Sequence, residues 1–423
     1  MGTAFSTALS ALNADSTAID VVGNNLANLN TTGFKASTAE FSDLMAEQLG
    51  TGTGNGQVGM GVGQLDSVQD FSQGSVTTTG GALDAAIQGN GFFVVTDPTN
   101  NAQLYTRDGS FQLNSTGDLV TATGQSVQGW TAINGVVNTN GAAGDITVPV
   151  GATIAPQATA NMSMNVNLDA STAVNGTYSA PIQVYDSLGA AHTLTVDFTE
   201  TGPGAWSYSV NIPNADVTNS VAGTTSTSLV TGTLGFDANG NLISPANTLP
   251  TTPNAPVVVT TGATLADGAN LSVNWNLFNS AGTPEITQYA QASSMSNPIQ
   301  DGFAAGQISQ INIQNGGLVV ASYTNGQQST LAQLAVASIS NPTSLVQVGD
   351  NNLQATAATA QAAIGVSGAG GNGTVQGGSL EASNTDMAAE FTQLLTYERS
   401  YQAASRVITT SDQLTQETVN LIH

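Results

Sequence analysis

The sequence predicts a multidomain α+β protein. Paired, coiled-coil-like N- and C-terminal α-helices carry two mainly-β domains, the outer one inserted in the inner one. Three observations predict this. Apolar residues recur at helical spacing only at the two ends of the chain. The stretch between residues 70 and 360 shows strand alternation and turns and no long helical pattern. Two Gly-rich segments lie just inside the terminal helices, one at each end. A chain of 423 residues has room for several such domains.

Residues 3–29 read as a helix: Phe5, Leu12, Ile19 and Leu26 recur every seven residues, and Leu9, Val22 and Leu29 widen the stripe. The C-terminal stretch repeats the pattern over a longer span. Met387, Leu394, Tyr401, Ile408, Thr415 and Ile422 lie seven apart, flanked by Phe391, Val407, Leu414 and Leu421. Ser383 and Asn384 can each cap this helix, which leaves Asp386 and Glu390 near the positive end of its dipole. Two helices pairing alone bury one seam. The C-terminal stripe is wider than one seam, so other chains are expected to cover the rest. Between the first helix and the strands stand Asn24, Asn25, Asn28, Asn30, Thr31, Gly33, Phe34 and Lys35. Asn and Gly stop a helix, with Gly33 at positive φ. The same residues are expected to form a joint between helix and connector, packed on a neighbouring subunit.

In the middle of the chain, Asn-Gly turn signals recur, among them Asn134-Gly135, Asn239-Gly240 and Asn315-Gly316. "QINIQNGGLVVASY" reads as one hairpin. "HTLTVDFTET" and "WSYSVNI", split by Gly202-Pro203-Gly204, read as a second. Composition shifts give the expected partition. Residues 1–30 with 380–423 form a terminal helical domain, and 31–63 with 366–379 a Gly-rich connector. Residues 64–146 with 291–365 form an inner β domain, and 147–290 an inserted outer β domain.

Charge excludes several functions. Only 8% of residues are charged; 28 are acidic and four basic, for a net charge of −24. Lys35, Arg107, Arg399 and Arg406 cannot neutralise a phosphate backbone or hold an anionic membrane. There is no Cys, hence no disulfide framework or thiolate metal site. No apolar run is long enough to span a bilayer, and no positive region opens a secretory signal.

An enzyme is opposed by the lack of a catalytic constellation. A triad would have to use His192 with Asp186 or Asp197, and no nucleophile elbow exists. Gly54, Gly56 and Gly59 match Gly-x-Gly-x-x-Gly but follow no strand and open no helix. "DANGNL" at 237–242 starts like a calcium loop, but Thr248 stands where the bidentate Glu belongs, so a hairpin turn is expected. No clustered Asp/Glu/His set is visible in the sequence. Catalytic, cofactor-binding and metal residues are therefore expected to be absent, and no cofactor is expected.

Two end strings carry a resemblance. "NNLANLNTTGFK", Asn24 to Lys35, resembles the N-terminal signature of bacterial flagellar rod and hook axial proteins. "GSLEASNTDMAAEFTQLLTYERSYQAASRVITTSDQLTQETVNLI", 378–422, resembles their C-terminal signature. "QGNGFFVV", "YTRDGSF" and "GDLVTATGQSVQGW" fit the same family. Together the matches cover roughly a third of the chain, in the expected order and outside the insert. The length and the large insert are most similar to the hook members. A distal rod protein with an unusual insert is the alternative. From the Thr/Asn-rich insert alone, an extracellular glycan-binding or adhesive β protein stays open, although a monomeric adhesin has no need of terminal heptads.

The resemblance implies a structural subunit that self-assembles into the hook, a curved helical tube joining rod to filament and passing motor torque as a universal joint. It implies assembly through the terminal helices, here Phe5, Leu9, Leu12, Ile19, Leu26, Met387, Phe391, Leu394, Tyr401, Ile408, Leu414 and Leu421. Its implied partners are itself, the distal rod protein, the hook–filament junction protein, the hook cap and the flagellar type III export apparatus. The implied location is extracellular, at the hook, reached without signal cleavage.

Overall fold

A computed structural model describes residues 2–44, 47–48, 57–63, 66–149, 151–218, 220, 223–245, 257–260 and 265–420. Leu421, Ile422, Thr248 and residues 50–56 of the first Gly-rich segment, with Gly54 and Gly56, lie outside them. The chain forms two compact units. The first comprises Met1–Val150, Gln310–Ser322 and Gln328–His423; the second comprises Gly151–Ser309 and Tyr323–Gln327. Composition places the end of the insert at 290, whereas the second unit runs on to Ser309. Thr153 pairs there with Gln307, and the Thr324 N–H bonds the Gln307 carbonyl.

In the first unit, helix α1 (Gly2–Ala27) packs along helix α2 (Met387–Asn420). At 1.5 Å per residue the two are roughly 39 and 51 Å long. Asp386 caps α2: its Oδ1 accepts the N–H groups of Ala388 and Ala389 at 2.8 and 3.2 Å. Ser383 and Asn384, the expected caps, are used elsewhere. Ser383 Oγ accepts the Thr385 N–H, and Asn384 Oδ1 accepts the Ala36 N–H. A cap must lie immediately before the first helical residue, and that place falls to Asp386.

The strands of this unit form an antiparallel sheet around Phe92–Thr96. That strand pairs with Ser126–Ile133 and with Gln103–Thr106. Phe92, Phe93, Val94 and Val95 are all buried, as a strand covered on both faces requires. Phe92, Val94, Tyr105, Trp130, Ala337 and Leu353 share one core cluster.

The second unit is a β-sandwich. One sheet is an antiparallel meander of Thr177–Tyr185, Ala191–Gly202, Ala205–Pro213, Ser226–Phe236 and Leu242–Ser244. The other is built on Asn161–Asp169 with Ser272–Asn276, Ile286–Tyr289 and Ser294–Gln300. Burial alternates residue by residue along the long strands, so one face of each sheet points inward. Phe198 and Tyr208 of the meander meet Trp275 of the opposing sheet edge to face, at 6.2 and 5.3 Å between ring centres. Both predicted hairpins form: Ala191–Gly202 pairs with Ala205–Pro213 in this unit, and residues 310–314 pair with 318–322 in the first. The "DANGNL" segment is the turn expected there, with Asp237 Oδ1 accepting the N–H groups of Asn239 and Asn241.

Candidate functional site

The seam between α1 and α2 is made of small and polar side chains. Among the described side chains of α1, Ala8, Ala14, Asp15, Ala18, Val22 and Asn25 are the buried ones. The stripe Phe5, Leu12, Ile19 and Leu26 lies about a quarter turn round the helix from them. Phe5 and Leu9 are exposed, and Leu12, Ile19 and Leu26 are half-buried. On α2, Met387, Phe391, Leu395, Tyr401, Val407 and Leu414 are exposed, and Leu394 and Ile408 half-buried. The large apolar side chains at heptad spacing are thus not the ones buried in the seam within the chain. Arg399 and Arg406 are exposed too, and neither makes an ion pair among the described residues.

Where the helices meet the sheet, the two chain ends are tied by a buried ionic joint. Lys35 follows α1, and Glu381 ends the strand Ser379–Glu381 that leads into α2. Arg107 directly follows the strand Gln103–Thr106. Lys35 Nζ lies 2.6 Å from Glu381 Oε1, and Arg107 Nη1 lies 2.9 Å from Glu381 Oε2. Glu381 is fully buried, and the two cations nearly so. Further hydrogen bonds support all three. Lys35 donates to the Ser72 carbonyl at 2.6 Å, Arg107 to the Gly89 carbonyl at 2.7 Å, and the Gly74 N–H to Glu381 Oε1 at 2.9 Å. The Arg107 guanidinium stands 5.4 Å over the Phe92 ring. Burial lowers the Lys35 pKa; the hydrogen bond and charge of Glu381 oppose this, Arg107 adds to it, and Asp70 opposes it.

A second polar knot joins the same elements. Asn25 Nδ2 donates to the Ser37 carbonyl at 2.7 Å and to Glu390 Oε1 of α2 at 3.0 Å, and its Oδ1 accepts the Ser37 N–H at 2.9 Å. Asn384 Nδ2 reaches the Asp70 carbonyl at 2.8 Å. Gly33 takes φ +67°, and its N–H bonds the Glu381 carbonyl at 2.7 Å. An added Cβ at Gly33 would come within 2.5 Å of the Arg107 backbone, so only glycine fits this approach. Phe34 is buried beside it.

The other motif residues have separate places. Asn24, Asn28 and Thr31 form a hydrogen-bonded chain at the C-terminus of α1. With Phe34 and Asp108 they line a cavity of 470 Å³. Asn30 is exposed. The sequence singles out Lys35 but neither Arg107 nor Glu381 as its partners, although both lie inside the family strings. The available signal is the scarcity of cations: two of the four in the chain converge on this one carboxylate.

In the second unit the structure corrects one expectation. Asp186, His192 and Asp267 converge with ligand atoms all within 4.8 Å of one another, so a clustered Asp/His set does exist. Turns bring its members together, and spacing along the chain does not report contacts between distant turns. His192 Nε2 lies 3.2 Å from Asp186 Oδ2, and its Nδ1 lies 3.2 Å from Asp216 Oδ2. Asp197, the other triad candidate, instead accepts a hydrogen bond from Asn211 at 2.7 Å.

Four family models match the chain, in order along it. "Flagella basal body rod protein" matches residues 5–35, and "Flagellar hook protein FlgE/F/G D1 domain" matches 86–169. "Flagellar basal body protein FlaE D2 domain" matches 156–303, and "Flagellar basal body rod FlgEFG protein C-terminal" matches 376–421. Paired terminal helices, a β body and this succession of matches define the class, an axial protein of the bacterial flagellum. The chain is 33% identical to the flagellar hook protein FlgE of Escherichia coli strain K12, over 99% of this chain and 100% of that one. It is 33% identical to FlgE of Borreliella burgdorferi over 98% of each chain, and 31% identical to that of Rhizobium meliloti over 98% of each. The crystal structure of Helicobacter pylori flagellar hook protein FlgE2 is similar with a TM-score of 0.47 and 14% identity, over 66% of this chain and 93% of that one. The chain belongs to the flagellar hook protein FlgE family, and it is a structural subunit of the hook.

Proposed function

We propose that the subunit polymerises through the outward faces of its terminal helices, while the joint at Glu381 holds those helices at a fixed angle to their own β body. One observation carries this reading. Large apolar side chains on both helices are left uncovered within the chain, Phe5 and Leu9 on α1 and, on α2, Phe391, Leu395 and Leu414, exposed by 50%, 55% and 56%. Rows of this kind on a lone subunit mark a surface that another protein covers. A head-to-tail contact between copies that does not close into a ring extends as a helical tube. A stiff joint passes torque from helix to body without loss in a hinge. Body surfaces rich in Thr, Asn, Ser and Gln can exchange polar contacts as a bent tube turns, which fits a universal joint.

The resemblance supports further partners: the distal rod protein, the junction protein towards the filament, the hook cap and the type III export apparatus. It also supports a location outside the cell, reached without signal cleavage. Among the described residues no helix is long and apolar enough to cross a membrane.

Electron microscopy after salting out the purified chain tests the assembly face. Wild type is expected to form curved tubes. Phe391→Ser combined with Leu395→Ser is expected to keep the far-ultraviolet dichroism of the folded subunit and to form none. Tubes from the double variant indistinguishable from wild type would overturn the reading.

A further inference from the structure

The geometry points to a binding site for a divalent first-row metal ion, zinc above all, formed by Asp186, His192 and Asp267 at one end of the β-sandwich of the second unit, with Asp216 behind the imidazole.

The site is built by loops and turns. Asp186 opens the turn that joins Thr177–Tyr185 to Ala191–Gly202, and His192 is the second residue of the returning strand. Asp216 ends the short helix Asn214–Asp216 that follows the strand Ala205–Pro213. Asp267 lies in the 265–268 turn, which is fastened to that short helix by the Ala266 N–H on the Asp216 carbonyl at 2.9 Å.

The charge around His192 calls for a cation. Residues 151–309 hold nine Asp and Glu and not one Lys or Arg. Three of the nine surround the only histidine of this unit. No Lys or Arg of the unit is available to the cluster, so its counter-charge must be a proton or an ion from solution.

The Asp186 carboxylate is held in place: its Oδ1 accepts the N–H groups of Leu188 and Ala190 at 2.9 and 2.8 Å. That leaves Oδ2 facing His192 Nε2 at 3.2 Å. Neighbouring donors in a tetrahedral zinc site, with bonds of about 2.0–2.2 Å, stand about 3.3–3.6 Å apart, so only a small adjustment admits an ion. Asp267 is exposed and gives an ion a way in, while Asp186 is fully buried.

The other ring nitrogen of His192 is placed as a metal ligand's would be. His192 is only 7% exposed, and its Nδ1 has no hydrogen-bond partner among the described residues. Asp216 Oδ2 nevertheless lies 3.2 Å from it, close enough to accept its N–H after a small rotation. A metal-bound histidine ordinarily gives its second N–H to such a carboxylate, which fixes the tautomer and turns the free lone pair towards the ion. One imidazole with monodentate carboxylates suits zinc better than calcium, which takes 6–8 oxygens.

Isothermal titration of the full-length, chelator-treated subunit with zinc chloride at pH 7 tests the site. One ion per chain is expected, with a rise in thermal midpoint on binding. His192→Gln and Asp267→Asn are each expected to weaken binding at least tenfold, and Asp237→Asn to leave it unchanged. Asp267 is exposed, so its variant keeps the test valid if the buried histidine variant fails to fold. Equal affinity in wild type and Asp267→Asn, the mark of an adventitious ion on other carboxylates or on His423, would overturn the proposal. So would a wild type that binds no zinc.

Discussion

Lys35, Arg107 and Glu381 together leave one net positive charge out of water, and each member depends on the others differently. Replacing Glu381 by Gln strands two like charges in the same buried space. Replacing Lys35 by Met leaves the Arg107–Glu381 pair intact. Breaking a buried pair costs about 3–5 kcal/mol, so Glu381→Gln is expected to lose that much and Lys35→Met distinctly less. Urea unfolding of the soluble subunit measures the order; a Lys35→Met loss equal to or above that of Glu381→Gln would refute it. Of the three residues only Lys35 stands out on reading the chain, as part of the Asn24–Lys35 string. Its partner stands 346 positions away. The motif shows that the residue matters without showing what it binds.

At the scale of elements, helix α2 shows what pattern reading resolves and what it leaves open. Heptad spacing locates the helix, but the cap falls on Asp386, because the side chains of Ser383 and Asn384 bond elsewhere. Periodicity also does not say which stripe meets α1, since small residues pack two helices as well as large ones do. Glu390 then ties α2 to Asn25 of α1. Burial pushes its carboxyl above the ordinary value of 4.5, Asn25 opposes this, and Asp386 adds to it. The folded state therefore holds its proton more tightly than the unfolded chain. Stability from this group falls as pH rises from the unfolded value through the folded one, and the cost is fully present above that. Glu390→Gln retains an oxygen for Asn25 and does not titrate. Its unfolding midpoint is expected to gain on wild type as pH rises from about 4.5 to 7. A difference that stays constant over this range would count against the shift.

At the scale of the whole molecule, the net charge of −24 is less relieved than four cations imply. Two of the four are buried against Glu381, and residues 151–309 have none. Arg399 and Arg406 are the only exposed ones, and both lie on α2. Each subunit added to a polymer brings this charge against its neighbours. The Debye length shrinks from about 10 Å at 0.1 M salt to about 3 Å at 1 M. The thermal midpoint of tube disassembly is therefore expected to rise with salt, and a midpoint that does not move between these concentrations would contradict the repulsion.

The sequence by itself determined the terminal helices, the strand-rich body, both hairpins and the family, because each is written in local spacing or in a continuous string. Tertiary structure alone decided which faces of the helices stay uncovered, that Glu381 joins Lys35 to Arg107, and that Asp186, His192 and Asp267 meet. Those facts depend on residues far apart in the chain. Spacing reports neighbours along an element, whereas burial and charge pairing are settled only when separate elements close on one another.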